Sequence, residues 1–439
     1  MFLFPDVKRL NSRAMKRILL IIAAAAITYA GTAQHASQAA VYAQDTKIFN
    51  GRLVDASNNQ RIPFATVWMR GTSISVVSNG EGDFSLKVPA EFPIDSIYVK
   101  HMGYRQQALL MAPNPDDRVN IRLTQSAINI EGITVNPSEP LRILRTALNI
   151  VRSNYPITPQ RMVGFYREMI MKNNRYVSVV EAIPDIYKAS TISAGGDQIR
   201  LYKGRRSYDD TRVDTLIMKY RGGLGTALNL DIAKRHDMVF VHPDSIARYY
   251  ALTMEETTEI QGRPQYVIAF NQINYVDKPM LYRGRIYIDR ESMAISRCEY
   301  NMNVEEHADA YRAFVVSLPP RYRISMLESK VIVDYIYNNG VWDYNYVNLE
   351  FVARVRSDKR RFNARYTIIS ELVITDRGSA DVEKFPSKER LKTNDLVFDK
   401  IIDYDDDGFW EGYNAIEPEQ TIENAVRRLN RNVRVDDIR

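Results

Sequence analysis

The sequence predicts two parts: an all-β N-terminal sandwich, then an α+β region built on a large curved antiparallel sheet. Three observations lead there. Between residues 47 and 123, short alternating apolar and polar runs are separated by Gly, Asn and Pro clusters, the pattern of closely spaced strands and tight turns. Pro137-Ser138-Glu139-Pro140 breaks both strand and helix and precedes a change of periodicity. From Gln265 onward the alternation is sustained, and strands longer than the usual ~5 to 6 residues require a broad, twisted sheet.

In the first part, residues 48–54, 65–70, 75–78, 84–88, 97–100 and 119–123 read as strands of a small antiparallel sandwich. Gly80 and Gly82 accept positive φ without steric cost, so residues 79–83 form a tight connection and Phe84 turns inward directly after it. Gly103-Tyr104 marks another corner, with Tyr104 over the sandwich end. After the break, Leu141, Leu144, Leu148 and Val151 recur at helical spacing, with Ser138 as N-cap and Pro156 as a stop. This predicts an amphipathic helix of about four turns.

Residues 162–171 and 176–182 then alternate around 172–175 as a hairpin. Residues 187–255 are the least regular and read as loops and short helices between strands. Residues 266–270, 280–289, 294–302, 330–337, 341–354 and 362–375 are strand-like, and Asn339-Gly340 is a strong hairpin signal. Residues 418–429 form an amphipathic helix through Ile422, Ala425, Val426 and Leu429, followed by a charged tail.

With 439 residues, 45% hydrophobic and 26% charged, the chain can bury the cores of about two or three domains. The boundaries read as an export signal at 1–33 with Met15 as the start, a lead-in at 34–45, the sandwich at 46–127, a linker at 128–140 and the α+β domain at 141–439. Lys16-Arg17 followed by the apolar residues 18–27 has the layout of a cleaved signal, and the run is far shorter than the ~20 residues that cross a bilayer. Export from the cytoplasm follows. The net charge of +6 is dispersed, Arg205-Arg206 and Lys359-Arg360-Arg361 being short runs, so nucleic acid is not an expected partner. Cys298 is the only cysteine; no internal disulfide is available, and Arg297 and Glu299 alternate away from it, which predicts a buried inert thiol.

Pro63-Phe64-Ala65-Thr66-Val67, Asn79-Gly80-Glu81-Gly82-Asp83-Phe84 and His101-Met102-Gly103-Tyr104 resemble the carboxypeptidase-regulatory-like domain of Bacteroidetes-type envelope proteins. That resemblance implies a transthyretin-like (prealbumin-like) sandwich in an accessory role and brings no catalytic residues. Tyr282-Arg283-Gly284-Arg285-Ile286-Tyr287-Ile288-Asp289, with Ala294-Ile295-Ser296, resembles the strand unit of LolA-like half-barrels. This implies a curved sheet, closed by helices, that holds lipid tails.

Candidate chemistry is sparse. His35, His101, His236, His242 and His307 are isolated, none has Glu three residues later, and no pair has zinc-motif spacing. No Gly-x-Ser-x-Gly elbow occurs, and the Gly-rich residues 221–226 lack a Gly-Lys-Ser/Thr ending. Asp403, Asp405 and Asp407, followed by Gly408, match the first half of a calcium loop, but Asn414 stands where the bidentate Glu belongs. A surface turn leading into Phe409-Trp410 as an anchor is the preferred reading.

The 27 tyrosines raise the question of an outer-membrane barrel. In residues 341–354, however, one face reads Val341, Asp343, Asn345, Val347, Leu349, Phe351 and the other Trp342, Tyr344, Tyr346, Asn348, Glu350, Val352. Neither is a lipid-facing band. No catalytic, cofactor or metal residue is assigned.

The sequence reading is therefore a non-catalytic envelope binding or scaffolding protein, with an outer-membrane protein complex or a lipid-like hydrophobic ligand as partner. The competing reading is a hydrolase using Glu168 and Glu181 on paired strands as acid and base. The same carboxylates can instead pair with Arg167 or Arg175 and hold the hairpin together.

Overall fold

A computed structural model describes residues 46–93, 96–126, 139–193, 195–209, 219–220, 223–240, 242–273, 280–305, 307–317, 320, 322–357, 362–378, 382–392, 395–401 and 412–436. The expected export signal, the lead-in, His35, Ser138 and the three candidate calcium ligands lie outside the described residues.

The first seven strands are β1 (Thr46–Asp55), β2 (Thr66–Met69), β3 (Ser75–Val77), β4 (Asp83–Pro89), β5 (Ile97–Lys100), β6 (Gln107–Leu109) and β7 (Val119–Leu123). They form two sheets, ordered β4-β1-β7 and β3-β2-β5-β6. Phe49, Leu53, Val67, Val76, Leu86 and Val99 fill the space between them, with Phe84 buried as expected. Gly82 has φ +78°, and a Cβ there would stand 2.6 Å from the Leu53 carbonyl oxygen, so this turn requires glycine.

Two details correct the sequence reading. β1 and β7 pair in parallel, because the last strand enters beside the first in the same direction, a long-range choice that local alternation does not encode. β6 was not expected; three residues, none of them buried, are too short to show a period.

The helix α1 (Glu139–Asn149) buries Ile143, Leu144, Ala147 and Leu148. The predicted single helix breaks at Ile150 and resumes as α2 (Val151–Asn154). The chain continues through β8 (Gln160–Lys172), β9 (Arg175–Lys188), β10 (Gln198–Tyr208) and β11 (Lys219–Tyr220). Four short helices follow: α3 (Leu224–Asn229), α4 (Ile232–Arg235), α5 (Asp237–Phe240) and α6 (Ile246–Tyr249). Then come β12 (Tyr250–Ile260), β13 (Arg263–Gln272), β14 (Tyr282–Asp289), β15 (Ile295–Met302), α7 (Tyr311–Phe314) and β16 (Val315–Ser317). The long strands β17 (Tyr322–Asn338), β18 (Val341–Ser357) and β19 (Phe362–Gly378) precede α8 (Val397–Lys400) and α9 (Gln420–Asp436).

Among the described residues, ten strands form one open antiparallel sheet in the order β10-β9-β8-β19-β18-β17-β15-β14-β13-β12. Its edges, β10 and β12, fall in the stretch expected to be irregular. Both alternate poorly because their residues are mostly half-exposed, and β12 carries a register shift between Glu255 and Thr258.

The sheet is covered on both faces. Leu224, Leu228, Ile232, Val239, Phe240 and Ile246 from α3 to α6 pack on the inner face with Tyr166, Val333, Val347 and Phe351. On the outer face, Val77 of the sandwich joins Phe165, Ile183, Tyr346, Val373, Tyr413 and Ile416, while Ile422 and Leu429 of α9 join Met169 and Val179. No helix among the described residues is long and apolar enough to cross a membrane.

β18 explains the missing apolar stripe. Asp334 pairs with Tyr346 and Tyr335 with Tyr344, so Asn345 is an extra residue that shifts the alternation. Trp342 and Tyr344 share the inner core with Val347 and Leu349, whereas Tyr346 belongs to the outer cluster. The two faces counted by strict alternation are thus mixtures of the real ones.

Candidate functional site

A narrow polar cleft lies where β8 and β18 begin and β9 and β17 end. Its mouth runs between two loops that carry Pro156, Thr158, Ala189 and Thr191, joined by the 3.1 Å bond from the Thr191 amide to the Pro156 carbonyl. Ile157 and Ile192, on those same loops, are 48% and 45% exposed. Apolar groups thus flank a charged floor.

That floor is a buried ion network. Lys188 Nζ lies 2.7 Å from both Asp197 Oδ2 and Asp231 Oδ2, and 5.0 Å from the centre of the Tyr344 ring. Asp197 also takes Lys234 Nζ at 2.7 Å. Asp231 accepts from the Tyr335 hydroxyl at 2.7 Å and caps α4 through the Lys234 amide. Burial pulls the Lys188 ammonium down, but Asp231 and Asp197 outweigh it and hold the pKa above the ordinary lysine value. For Asp197 burial acts upward and the attraction of Lys188 wins, leaving the carboxyl lowered. Two cations and two anions compensate one another, so this network positions the loops and has little charge left for chemistry.

Asp343 is different. It is 5% exposed, lines the cleft, and accepts 3.1 Å from Gln160 Nε2. Burial raises its pKa, opposed only in part by Arg377 and Gln160. A carboxyl group in that condition gains from an arriving cation. The arrangement suits recognition of a basic group with apolar flanks.

The structure separates the two carboxylates of the competing hydrolase reading. Lys172 pairs with Arg175 and Met171 with Tyr176, but Ile170 pairs with Ser178, leaving Val177 as a bulge. Beyond it Glu168 faces Val180 and Glu181 faces Arg167, so the two carboxylates stand on opposite faces of the sheet. Glu181 binds Arg167 at 2.8 Å and Arg205 at 2.6 Å, and the guanidinium groups bring its pKa down against the upward effect of burial. Glu168 accepts from the Tyr166 hydroxyl at 2.6 Å. The structural alternative for the pair, an ion-paired hairpin, describes Glu181.

Cys298 is fully buried, and burial raises its thiol far above the ordinary value, as expected of an inert core residue. No three His, Cys, Asp or Glu side chains converge among the described residues, so His101, His236, His242 and His307 build no such cluster there. Sequence reasoning missed Lys188, Asp231 and Asp343. Lys188 lies at the end of a strand expected to stop at 182, and Asp231 in the stretch read as irregular.

Residues 49–135 match the CarboxypepD_reg-like domain family. The protein is therefore of a two-part class, in which a CarboxypepD_reg-like domain is docked on an open ten-stranded antiparallel sheet. No curated protein matches the chain. A putative outer membrane lipoprotein-sorting protein domain from Vibrio parahaemolyticus aligns with 57% of this chain and 96% of its own, at 9% identity and a TM-score of 0.23. The MucA/MucB complex of Pseudomonas aeruginosa aligns over 56% of this chain and 100% of the matched one, at 13% identity and TM-score 0.18. A LolA superfamily protein from Nitrosomonas europaea aligns over 58% and 97%, at 13% and 0.20. These are distant likenesses.

Proposed function

We propose that this chain is a non-catalytic binding or scaffolding protein of the bacterial envelope, working in the periplasm or at the outer membrane. In this reading residues 46–127 serve as an accessory domain and 141–439 carry recognition. The observation that carries the reading is the cleft at the sheet end, where the undercompensated Asp343 lies between loops that expose Ile157 and Ile192. A protein segment with a Lys or Arg side chain next to an apolar residue fits that combination, the cation meeting Asp343 and the apolar groups meeting the two isoleucines. The opposed placement of Glu168 and Glu181 removes the carboxylate pair on which a hydrolase was considered.

The test is to place a photo-crosslinking residue at Ile157 and, separately, at Ile192 in the full chain, irradiate envelopes of the native host, and identify adducts by mass spectrometry. One envelope protein captured from both positions, and lost on Asp343→Asn, supports the reading. Irradiated chain that stays free from both positions overturns it.

A further inference from the structure

The outer face of the large sheet is apolar where Val77 and α9 cover it. Toward the end of β18 it becomes basic. Tyr346 belongs to the outer cluster, and β18 runs from there to Ser357 without a register shift against β19, so Arg354 and Arg356 stand on the same side of the sheet. The ladders set Arg356 between Arg323 and Asn363, and Arg354 between Ser325 and Arg365. Arg323, Ser325, Arg356, Asn363 and Arg365 are exposed, and Arg354 is half-buried. These arginines are scattered in the chain, which makes the charge look dispersed in the sequence; the register of three long strands gathers them on one face.

Charge on this face is poorly compensated. Arg365 has Glu328 at 3.6 Å, and Lys330 stands opposite Glu350. Arg354 and Arg356 take part in no hydrogen bond or ion pair among the described residues. Arg356 stands opposite Arg323, and Arg354 opposite Arg365; like charges directly across a strand pair repel and weaken a sheet. Anions from outside the chain relieve that repulsion.

The basic residues run across three strands as well as along them, on an open face without walls. Such a layout meets many anions spread over a surface, whereas an extended acidic segment would bring its carboxylates in a single line. Guanidinium forks take phosphate oxygens two at a time. We infer that this face docks the protein on a membrane surface through the phosphates of anionic lipids, with Arg323, Arg354, Arg356 and Arg365 as the contact residues. The attachment is peripheral, since no helix among the described residues is long and apolar enough to cross a bilayer. The Asp343 cleft lies at the other end of β18, so the two proposals stand or fall independently.

Flotation of the full chain with lipid vesicles tests the assignment. Vesicles of phosphatidylcholine and phosphatidylglycerol in equal amounts should carry at least tenfold more protein than vesicles of phosphatidylcholine alone, and added salt should release it. Arg354→Ser combined with Arg356→Ser should lower the bound fraction at least fivefold. Arg105→Ser combined with Arg152→Ser, which removes the same charge from exposed positions on the sandwich and α2, should leave it unchanged. Equal flotation with both vesicles, no flotation with the anionic ones, an unchanged Arg354/Arg356 variant, or retention on immobilised polyglutamate without vesicle binding overturns the inference. A measurement on the unmodified chain covers a variant that does not fold: the anionic vesicles should slow phenylglyoxal modification of Arg356 at least threefold and leave Arg152 unaffected. Equal rates at Arg356, or the same protection by soluble glycerol 3-phosphate at equal phosphate concentration, overturn docking on a lipid surface.

Discussion

Lys188 sits between two buried carboxylates, and its removal would leave Asp197 and Asp231 facing each other with only Lys234 to answer them. Lys188→Met should therefore cost about 3–5 kcal/mol, the range for stranding a buried charge. Urea unfolding checks this, and adding Asp231→Asn should restore part of the loss. A loss below 1 kcal/mol would mean that the network is solvated. His101 gives a pH dependence. Burial and the nearby Arg297 bring its folded pKa to about 4, from 6.5 for a free ring. Between those values the unfolded chain takes up a proton that the folded ring refuses, so stability is complete above pH 6.5 and falls on acidification toward 4. His101→Phe should flatten the stability difference between pH 7 and pH 5 in urea titrations; equal slopes would exclude this ring as the cause. At this scale the sequence was partly legible. Cys298 could be placed inward because its neighbours alternate with it and its strand is regular there. Glu168 and Glu181 could not be assigned faces, because a strict two-residue hairpin puts Glu181 opposite Tyr166, on the Glu168 side, and the Val177 bulge moves it across.

Hairpins were the most legible elements, since a tight turn declares itself locally. Asn339 and Gly340 take φ +48° and +88° between β17 and β18, the conformation that an Asn-Gly pair favours. Nothing lies within 4 Å of a Cβ built at Gly340, so Gly340→Ala isolates the backbone penalty of a positive φ, about 1–2 kcal/mol. Urea midpoints measured with an unchanged slope test this, and a neutral result would show that the turn relaxes to another type. Asn173 and Asn174 make the β8–β9 turn in the same region, at φ +50° and +61°. Edge strands were the least legible elements. β10 lies under the segment carrying Leu391 and Phe385, whose ring is stacked between Arg161 and Arg200 with guanidinium carbons 4.1 and 4.7 Å from its centre. A strand whose face is closed by Arg stems and a distant loop shows no apolar period in its own residues.

The sandwich and the sheet are joined by bonds that neither part can satisfy alone. Ser75 Oγ donates 3.0 Å to the Ile374 carbonyl, Asn414 exchanges bonds with the Lys87 backbone at 2.7 and 2.8 Å, and Gly80 N donates to Glu419 at 3.1 Å. Val77 completes an apolar cluster otherwise built from the sheet and the C-terminal segment. Separation would expose that cluster and break these bonds, so the full chain should melt in one calorimetric transition. Two resolved transitions, with the sandwich surviving the sheet or the reverse, would contradict that coupling. By itself the sequence determined the two-part architecture, the long antiparallel strands, the amphipathic face of α9 and the tight turns, because all of these follow from the period and turn chemistry of neighbouring residues. The tertiary structure alone decided which face each side chain occupies beyond Val177 and Asn345, the parallel entry of β7, and the meeting of Lys188 with Asp231. One extra residue reverses a strand's alternation, and burial brings together charges far apart in the chain; neither effect leaves a local pattern to be read.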